Sequence, residues 1–257
     1  MKTPLLFMVM MLIGILTSCG EKAFTETKVN VIFDNAQTHM MPLALFGEVP
    51  EALVSELGIS EGIPSSVSVF LVEKKGKQLL FDAGNGKDDS QLLPQMKKLG
   101  ITPEEVDYIF VTHMHGDHIG GLTKDGEKVF KNAQLYIAAP EVEAWKGQGN
   151  TDALLEAYKG NVVKFSEADV LPCDVEAIAA YGHTPGHTVY RVDDVLIVGD
   201  IMHGVALQMK YPEFCARFDM NHEQAIASRK AIVEKVKQKG WKMYGMHFPT
   251  MEGVKVE

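Results

Sequence analysis

The most informative stretch of the sequence is Thr112-His113-Met114-His115-Gly116-Asp117-His118-Ile119-Gly120-Gly121. The apolar run before it predicts a buried strand that ends where the stretch begins. His113 and His115 are two residues apart, so in an extended backbone their side chains point the same way. Gly116 permits a sharp turn, which brings Asp117 and His118 to the same place. Three imidazoles and a carboxylate suit zinc, and also iron or manganese; the alternative is a histidine-rich surface turn.

Three further motifs place histidine or aspartate after predicted strands: Gly182-His183-Thr184-Pro185-Gly186-His187-Thr188, Gly199-Asp200 and Met246-His247-Phe248-Pro249. Together with the first stretch, and in this order, they resemble the metallo-β-lactamase superfamily over about Val29 to His247. The resemblance implies an α/β fold, the four-layer αββα sandwich, with a metal site at one edge of its two sheets. Antiparallel hairpins and flanking helices in the sequence pattern are compatible with that fold.

The resemblance also implies two divalent metal ions, and zinc is the metal expected. The ligands it implies are His113, His115 and His187 for the first ion, Asp117, His118 and His247 for the second, and Asp200 as a bridge between them. A bridging aspartate separates this chain from the true β-lactamases, which lack it at this position. Members of the superfamily that keep it include thioesterases of the glyoxalase II type, lactonases and phosphotriester hydrolases.

Four side chains receive further roles. Asp117 is expected to act also as a proton shuttle to the leaving group. Asp82 ends a predicted strand and is expected to orient a ligand histidine, with a turn-forming aspartate as the alternative. His183 is expected to be structural or to support a ligand. His203 lies three residues after Asp200, where some lactonases carry a tyrosine; it either donates a hydrogen bond to the substrate or supports the site.

Finer features resemble the branch that contains methyl parathion hydrolase and some N-acyl-homoserine lactonases. These features are Gly199 to His203, Pro212, Phe218-Asp219 and His247-Phe248-Pro249. The predicted function is hydrolysis of a small molecule, a lactone or other carboxylic ester, by a hydroxide held between the two metal ions. The alternatives are phosphotriesterase or β-lactam hydrolase activity on the same site and, outside enzymes, an exported metal-binding lipoprotein.

The first residues have the pattern of a bacterial lipoprotein signal. Lys2 precedes an apolar run, Leu5 to Leu16, that is too short to span a membrane as a helix. Leu16-Thr17-Ser18-Cys19 resembles a lipobox, in which the cysteine is lipidated; a plain secretory signal is the alternative. We therefore predict a signal peptide at residues 1–18, a lipidated Cys19 with a tether at 19–28, and an exported protein anchored to a membrane, periplasmic or at the cell surface.

Residues 29–257 are predicted to form one hydrolase domain, because no linker rich in Pro, Gly or Ser divides them. Hydrophobic residues make up 46% of the chain and charged residues 23%, as in an ordinary soluble globular protein. The net charge of −9 leaves no basic excess to neutralise phosphates, so a nucleic-acid partner is not expected.

Strands and helices alternate along this domain. Strands are predicted at 29–33, 66–72, 78–81, 106–112, 135–138, 162–165, 176–181, 195–198 and 241–246. Helices are predicted at 90–99, 140–145, 152–158 and 225–239, the last capped by Asn221 and Gln224. His39 and His222 are expected at the surface or in a cap. Cys173 and Cys215 either pair or remain two free thiols.

Overall fold

The structure is a computed structural model of the chain, and it describes residues 27–37 and 39–256. The predicted signal peptide, Cys19 and most of the predicted tether therefore lie outside the described residues. Within these ranges, no helix combines the length and apolar character needed to cross a membrane. Two β-sheets form the centre of the described part, and helices flank them.

In chain order, the strands of the described part are β1 (Val29–Phe33), β2 (His39–Met41), β3 (Ile63–Ser65), β4 (Ser68–Lys74), β5 (Lys77–Phe81), β6 (Val106–Phe110), β7 (Thr123–Lys124), β8 (Glu127–Lys128), β9 (Gln134–Ala138), β10 (Val162–Phe165), β11 (Glu176–Ala179), β12 (Thr188–Val192), β13 (Val195–Gly199) and β14 (Lys242–Gly245). The α-helices are α1 (Glu51–Leu57), α2 (Leu92–Lys98), α3 (Gly116–Ile119), α4 (Ala139–Ala144), α5 (Gly149–Ala157), α6 (Val205–Gln208) and α7 (His222–Lys239). Short 3₁₀ turns lie at Leu43–Phe46, Pro103–Glu105, Gly120–Leu122 and Pro172–Asp174.

The larger sheet has six strands in the order β1-β4-β5-β6-β9-β10. Its first three strands pair antiparallel, whereas β5, β6, β9 and β10 run parallel. The smaller sheet has the order β11-β12-β13-β14 and is antiparallel except for its last pair. Both sheets are therefore mixed, and two small ribbons, β2 with β3 and β7 with β8, lie outside them.

Alternation along the strands sorts the apolar side chains into separate core layers. In β4, Val69 and Leu71 pack in one cluster with α2 and α5, whereas Phe70 and Val72 pack in the cluster between the two sheets. In β13, Leu196 packs in a third cluster with α7. The order of layers is helices, sheet, sheet, helix, and the predicted four-layer αββα sandwich is confirmed.

A fourth apolar cluster lies beside the sandwich and joins two segments, residues 41–63 and 207–216. It buries Met41, Phe46, Val54, Ile59, Ile63, Leu207 and Ala216. Next to it, the backbone N–H of Arg217 donates to the carbonyl oxygen of Leu45 (2.8 Å). We call this the mouth cluster, because its first segment also borders the cavity described below, through Met41, Pro42 and Leu45.

Most predicted elements are present, with ends shifted by up to three residues. Helix α7 begins three residues earlier than predicted, because the Asn221 side chain accepts the backbone N–H of Gln224 (3.1 Å) and caps the helix there. The sequence analysis predicts neither α1 nor β12; both are short, and packing and strand pairing rather than local pattern determine them. Cys173 and Cys215 are free thiols.

Candidate metal centre

Loops at the ends of strands from both sheets build the site. The residues after β6 and in α3 carry His113, His115, Asp117 and His118. The loop between β11 and β12 carries His183, while Asp200 follows β13 and His247 follows β14. Side chains that are distant in sequence therefore meet at one edge of the sandwich, in overlapping groups of converging nitrogen and oxygen atoms.

Three imidazoles and one carboxylate form the first group. Nε2 of His113 and Nδ1 of His115 are 2.9 Å apart, and Nε2 of His183 lies 3.0 Å from each of them. Oδ2 of Asp200 lies 3.4 Å from Nε2 of His183 and 3.8 Å from Nε2 of His113. A cation at the centre would face three nitrogens and an oxygen, a set of donors that suits zinc.

Asp117, His118 and His247 form the second group, with ligand atoms within 4.8 Å of one another. Nε2 of His247 lies 3.7 Å from Oδ2 of Asp117 and 3.2 Å from Oδ2 of Asp200. Nε2 of His118 lies 3.2 Å from Oδ1 of Asp200. Asp200 therefore stands between the two groups, which agrees with the bridging position that the resemblance implies.

Hydrogen bonds behind the rings decide which nitrogen faces the site. Nδ1 of His118 lies 2.8 Å from Oδ2 of Asp82, and Nδ1 of His247 lies 2.9 Å from the carbonyl oxygen of Ser66. Both partners are acceptors, so each Nδ1 carries a proton, and in the neutral ring each Nε2 keeps its lone pair. Asp82 therefore orients the His118 ring so that its Nε2 faces the site.

His183 has a carboxylate partner of its own. Its Nδ1–H donates to Oδ1 of Asp219 (2.9 Å), and Oδ2 of Asp219 accepts from Arg229 (3.1 Å). Arg229 is completely buried and also donates to the carbonyl oxygens of Ile201 and Pro212, each at 2.6 Å. This chain of bonds connects α7 to the first group. Neither Asp219 nor Arg229 is predicted in this role from the sequence. Nothing in the pattern of α7 distinguishes a buried arginine from an exposed one, and Asp219 lies in the loop before that helix.

Two of the converging atoms, Nε2 of His118 and Oδ1 of Asp200, are buried and have no hydrogen-bond partner among the described residues. Buried polar atoms are nearly always paired, so such orphans require an explanation. They lie only 3.2 Å apart, inside a set of imidazole nitrogens and carboxylate oxygens. A divalent cation would satisfy both atoms at once, and the residues present therefore fit a metal ion.

Burial and neighbouring charges give the two groups different proton affinities. Burial lowers the pKa of His113 well below its ordinary value and that of His115 to about 4, so these two imidazoles are neutral at neutral pH. Burial would raise the pKa of Asp200, but nearby imidazoles, His247 first, outweigh it and hold that pKa well below its usual range. Burial would also lower the pKa of His118 and of His247, yet the Asp200 carboxylate raises both.

The structure corrects the assignment of His187 as a ligand. Its Nδ1 lies 3.1 Å from the carbonyl oxygen of Ala180, and its Nε2 accepts the backbone N–H of Asp200 (3.0 Å). Both ring nitrogens are thus occupied, and His187 belongs to none of the ligand groups found in the described ranges. His183, expected only to support a ligand, occupies the ligand position instead, while His187 holds the backbone of Asp200.

A cavity of about 450 Å³ opens beside the two groups. Its lining comprises His39, Met41, Pro42, Leu45, Val67, His115, Gly116, Asp117, Asp200, His203, Phe218 and His247. The wall away from the ligands is apolar, and no Lys or Arg appears among these lining residues. His39 was expected at the surface or in a cap; it is exposed and also borders the cavity, because the unpredicted ribbon of β2 and β3 carries it there.

His203 is buried between the cavity and Asp200. Its Nε2 lies 3.2 Å from Oδ2 of Asp200, its ring stacks on His247 at 5.0 Å between centroids, and Phe218 lies on it at 5.6 Å. A neutral ring that donates from Nε2 to the carboxylate leaves Nδ1 as an acceptor, and Nδ1 has no partner in the described part of the chain. The geometry therefore favours support of Asp200 over donation of a hydrogen bond to a substrate.

Residues 62–239 match the family described as the Metallo-beta-lactamase superfamily, and the chain belongs to that superfamily. The buried His/Asp cluster described above lies within the matched residues, apart from His247, and fits a metal ion. It is 38% identical to Ribonuclease Z of Salinibacter ruber over 147 residues, which are 56% of this chain and 41% of that protein. It is 43% identical to Ribonuclease Z of Nanoarchaeum equitans over 70 residues, 26% of this chain and 20% of that protein. The matched part spans less than half of either relative.

Solved structures resemble the chain over nearly its whole length. The hydrolase AbOPH of the beta-lactamase superfamily aligns with a TM-score of 0.80 at 24% identity, covering 89% of each chain. AidC, a dizinc quorum-quenching lactonase solved with the product N-hexanoyl-L-homoserine, aligns with a TM-score of 0.80 at 21% identity, covering 90% of this chain and 92% of its own. At these identities the similarity establishes a common fold.

Proposed function

We propose that the protein hydrolyses a neutral carboxylic ester, a lactone first of all, with two zinc ions at the candidate site. The observation that carries this proposal is the cavity, whose wall is apolar and whose described lining contains no Lys or Arg. An anionic substrate such as RNA would need Lys or Arg side chains along this wall, whereas a neutral ester with an apolar substituent would not. The shared fold with AidC, a dizinc lactonase, supports the same substrate class.

Seven side chains would hold the two ions: His113, His115 and His183 the first, Asp117, His118 and His247 the second, with Asp200 between them. When bound, the ions supply a Lewis acid for the carbonyl oxygen and lower the pKa of a water molecule. Histidine nitrogens combined with carboxylate oxygens form a donor set that zinc accepts. Two ions account for the seven side chains better than one, because a tetrahedral zinc takes at most four protein ligands.

Asp117 is the residue best placed to carry a proton. It is half-buried, borders the cavity and lies 3.7 Å from Nε2 of His247. Burial would raise the pKa of Asp117, but the His118 imidazole outweighs it, and the pKa stays below its usual value. Asp117 is therefore an ionised carboxylate that can accept a proton and pass it to the leaving alcohol. His203 holds Asp200 in this scheme.

A substrate panel tests the proposal. Purified wild type and Asp200→Ala receive lactones with short and long acyl chains, an aryl phosphotriester, a β-lactam and a structured RNA. We expect hydrolysis of the lactones, faster with apolar substituents, lost with a chelator and restored by zinc. β-Lactams carry a carboxylate and should react poorly. Faster turnover of the phosphotriester than of every lactone would assign the site to the alternative, and cleavage of the RNA would contradict a neutral substrate.

We also propose that the protein is exported and held at a membrane by lipid on Cys19. The support is the sequence alone, the run Leu16-Thr17-Ser18-Cys19 after a short apolar segment. Cys19→Ser should release the protein from the membrane fraction or leave its signal uncleaved, without changing hydrolysis. Wild-type protein in the soluble fraction, with an N-terminus other than Cys19, would replace this proposal by a plain secretory signal.

A further inference from the structure

Glu141 in α4 carries a buried carboxylate, and it is not among the residues given a role above. Its side chain is completely buried. Oε1 accepts the backbone N–H of Met114 (2.8 Å) and the indole N–H of Trp145 (2.6 Å). Oε2 accepts the hydroxyl of Thr184 (2.7 Å) and the backbone N–H of Gly186 (2.9 Å). Four donors on two oxygens fit an ionised carboxylate, which can only accept.

Three of these four donors, those of Met114, Thr184 and Gly186, belong to the two loops that carry the imidazoles of the first ligand group. Met114 lies between His113 and His115, and Thr184 directly follows His183. The Glu141 carboxylate therefore connects two loops that are about 70 residues apart in sequence. Each imidazole of the group is next in sequence to a residue that donates to this carboxylate. The distances of 2.9 to 3.0 Å among the three ligand nitrogens depend on how these loops are held.

Trp145 extends the same connection to a ligand ring. Its ring lies edge-on to His115, with centroids 5.2 Å apart and planes at 85°. Because the indole N–H donates to Glu141, the carboxylate also fixes the orientation of this ring. On the other loop, a Cβ added at Gly186 would lie 2.2 Å from the backbone nitrogen of Glu141, so only glycine lets this loop approach α4.

We propose that Glu141 is a positioning residue that sets the affinity of the first metal position and leaves the second unaffected. The second group has other supports: Asp82 holds His118, and the carbonyl oxygen of Ser66 holds His247. The inference rests on the proposed binding of two zinc ions and goes beyond it, because it assigns separate control to one of the two positions.

Glu141→Gln is the most informative variant because it keeps the size of the side chain. An amide has one oxygen and one NH₂ group, so its NH₂ must face two donors in either orientation. The Thr184 hydroxyl can rotate to accept, but the backbone N–H groups of Met114 and Gly186 cannot, and one of them loses its acceptor. Thr184→Val removes a single donor at nearly constant shape. Glu143→Gln, exposed on the same helix, is the matched control.

Zinc titration of the full chain, stripped of metal by a chelator, measures the two affinities against a competing chromophoric chelator, and circular dichroism checks the fold. We expect Glu141→Gln to weaken one zinc position by about 10- to 100-fold, the usual effect of losing an outer partner, and to leave the other unchanged. Thr184→Val should weaken the same position by less, and Glu143→Gln should weaken neither.

The His118→Ala variant identifies which zinc position Glu141→Gln affects. Because His118 belongs to the second group, His118→Ala should remove the second position and leave the first intact. Adding Glu141→Gln to it should weaken the remaining zinc by the same factor; if that protein does not fold, Thr184→Val in the same background decides in its place. Unchanged affinity there, or equal loss at both positions in the single variant, overturns the proposal and leaves the proposed function standing. A wild type that does not bind two zinc ions overturns both.

Discussion

The two ligand groups depend on different parts of the molecule. In the second group, His118 is oriented by Asp82, and the two residues follow neighbouring parallel strands, β6 and β5, of one sheet. In the first group, His183 depends on Asp219 and Arg229, which lie after α6 and in α7. Two ligand histidines of one site are therefore oriented in different ways. His118 depends on a residue that follows the neighbouring strand of the same sheet, whereas His183 depends on residues from segments distant in sequence.

Removing the residue that the two groups share should have the largest effect. Asp200→Ala should lower the zinc content from two towards one or none and reduce hydrolysis by more than the roughly 100-fold typical of an outer-shell partner. The fold should survive, because His187 accepts the backbone N–H at position 200, which alanine retains. Elemental analysis and circular dichroism measure both, with exposed Asp88→Ala as control. Full zinc content in the variant would exclude a bridge.

Exchanging the roles of two histidines tests the corrected ligand set. His183→Ala should lose the zinc of the first group with little change in thermal stability of the metal-free protein. His187→Ala should keep two zinc ions but unfold more easily, by about 1–3 kcal/mol, because the buried N–H of Asp200 loses its acceptor. Zinc titration and thermal denaturation separate the outcomes. The opposite result, zinc lost only in His187→Ala, would restore the assignment predicted from sequence.

The supports of the two groups should act separately. Asp219→Asn should weaken the first position and Asp82→Asn the second, each by about 10- to 100-fold, because each carboxylate fixes the proton on one ligand histidine. The double variant should show both losses independently, because Asp219 and Asp82 share no hydrogen-bond partner. Zinc titration of the three variants decides; if either single change weakens both positions alike, the groups are not independent.

Acidification should empty the second position first. The raised pKa of His118 and of His247 means that protons compete for these ligands already near neutral pH, whereas burial keeps His115, with a pKa of about 4, free of protons until the pH approaches that value. Zinc content measured after dialysis at stepwise lower pH should therefore fall from two to one before it falls to zero. His118→Ala should keep its single zinc to lower pH; simultaneous release of both ions from wild type would contradict the difference.

Residues from His113 to His118 could be predicted from sequence because the ligands lie within six residues and the preceding strand sets their direction. The choice between His183 and His187 could not. Both lie in one loop motif, and only the long-range partner of each ring, Asp219 for one and the backbone of Asp200 for the other, decides which ring faces the site.

The supporting residues Arg229 and Glu141 could not be predicted from the sequence, for the same physical reason. Arg229 occupies a helix whose pattern is simply amphipathic, and Glu141 follows a strand without any motif of its own. Their burial depends on contacts across the fold rather than on neighbours in sequence. The β-branched strands and the capped α7 carry strong local signals and were predicted well, whereas α1 and β12 are determined by tertiary packing.

A crystal structure of the zinc-loaded protein, with anomalous diffraction recorded at the zinc edge, would show how many zinc ions the site binds and whether His183 or His187 is a ligand. Two zinc peaks should appear, one of them about 2.0–2.1 Å from Nε2 of His183. Asp200 should contact both ions, and His187 should keep its bond to the backbone N–H of Asp200. A single zinc peak, or Nε2 of His187 at bonding distance from an ion, would contradict the account.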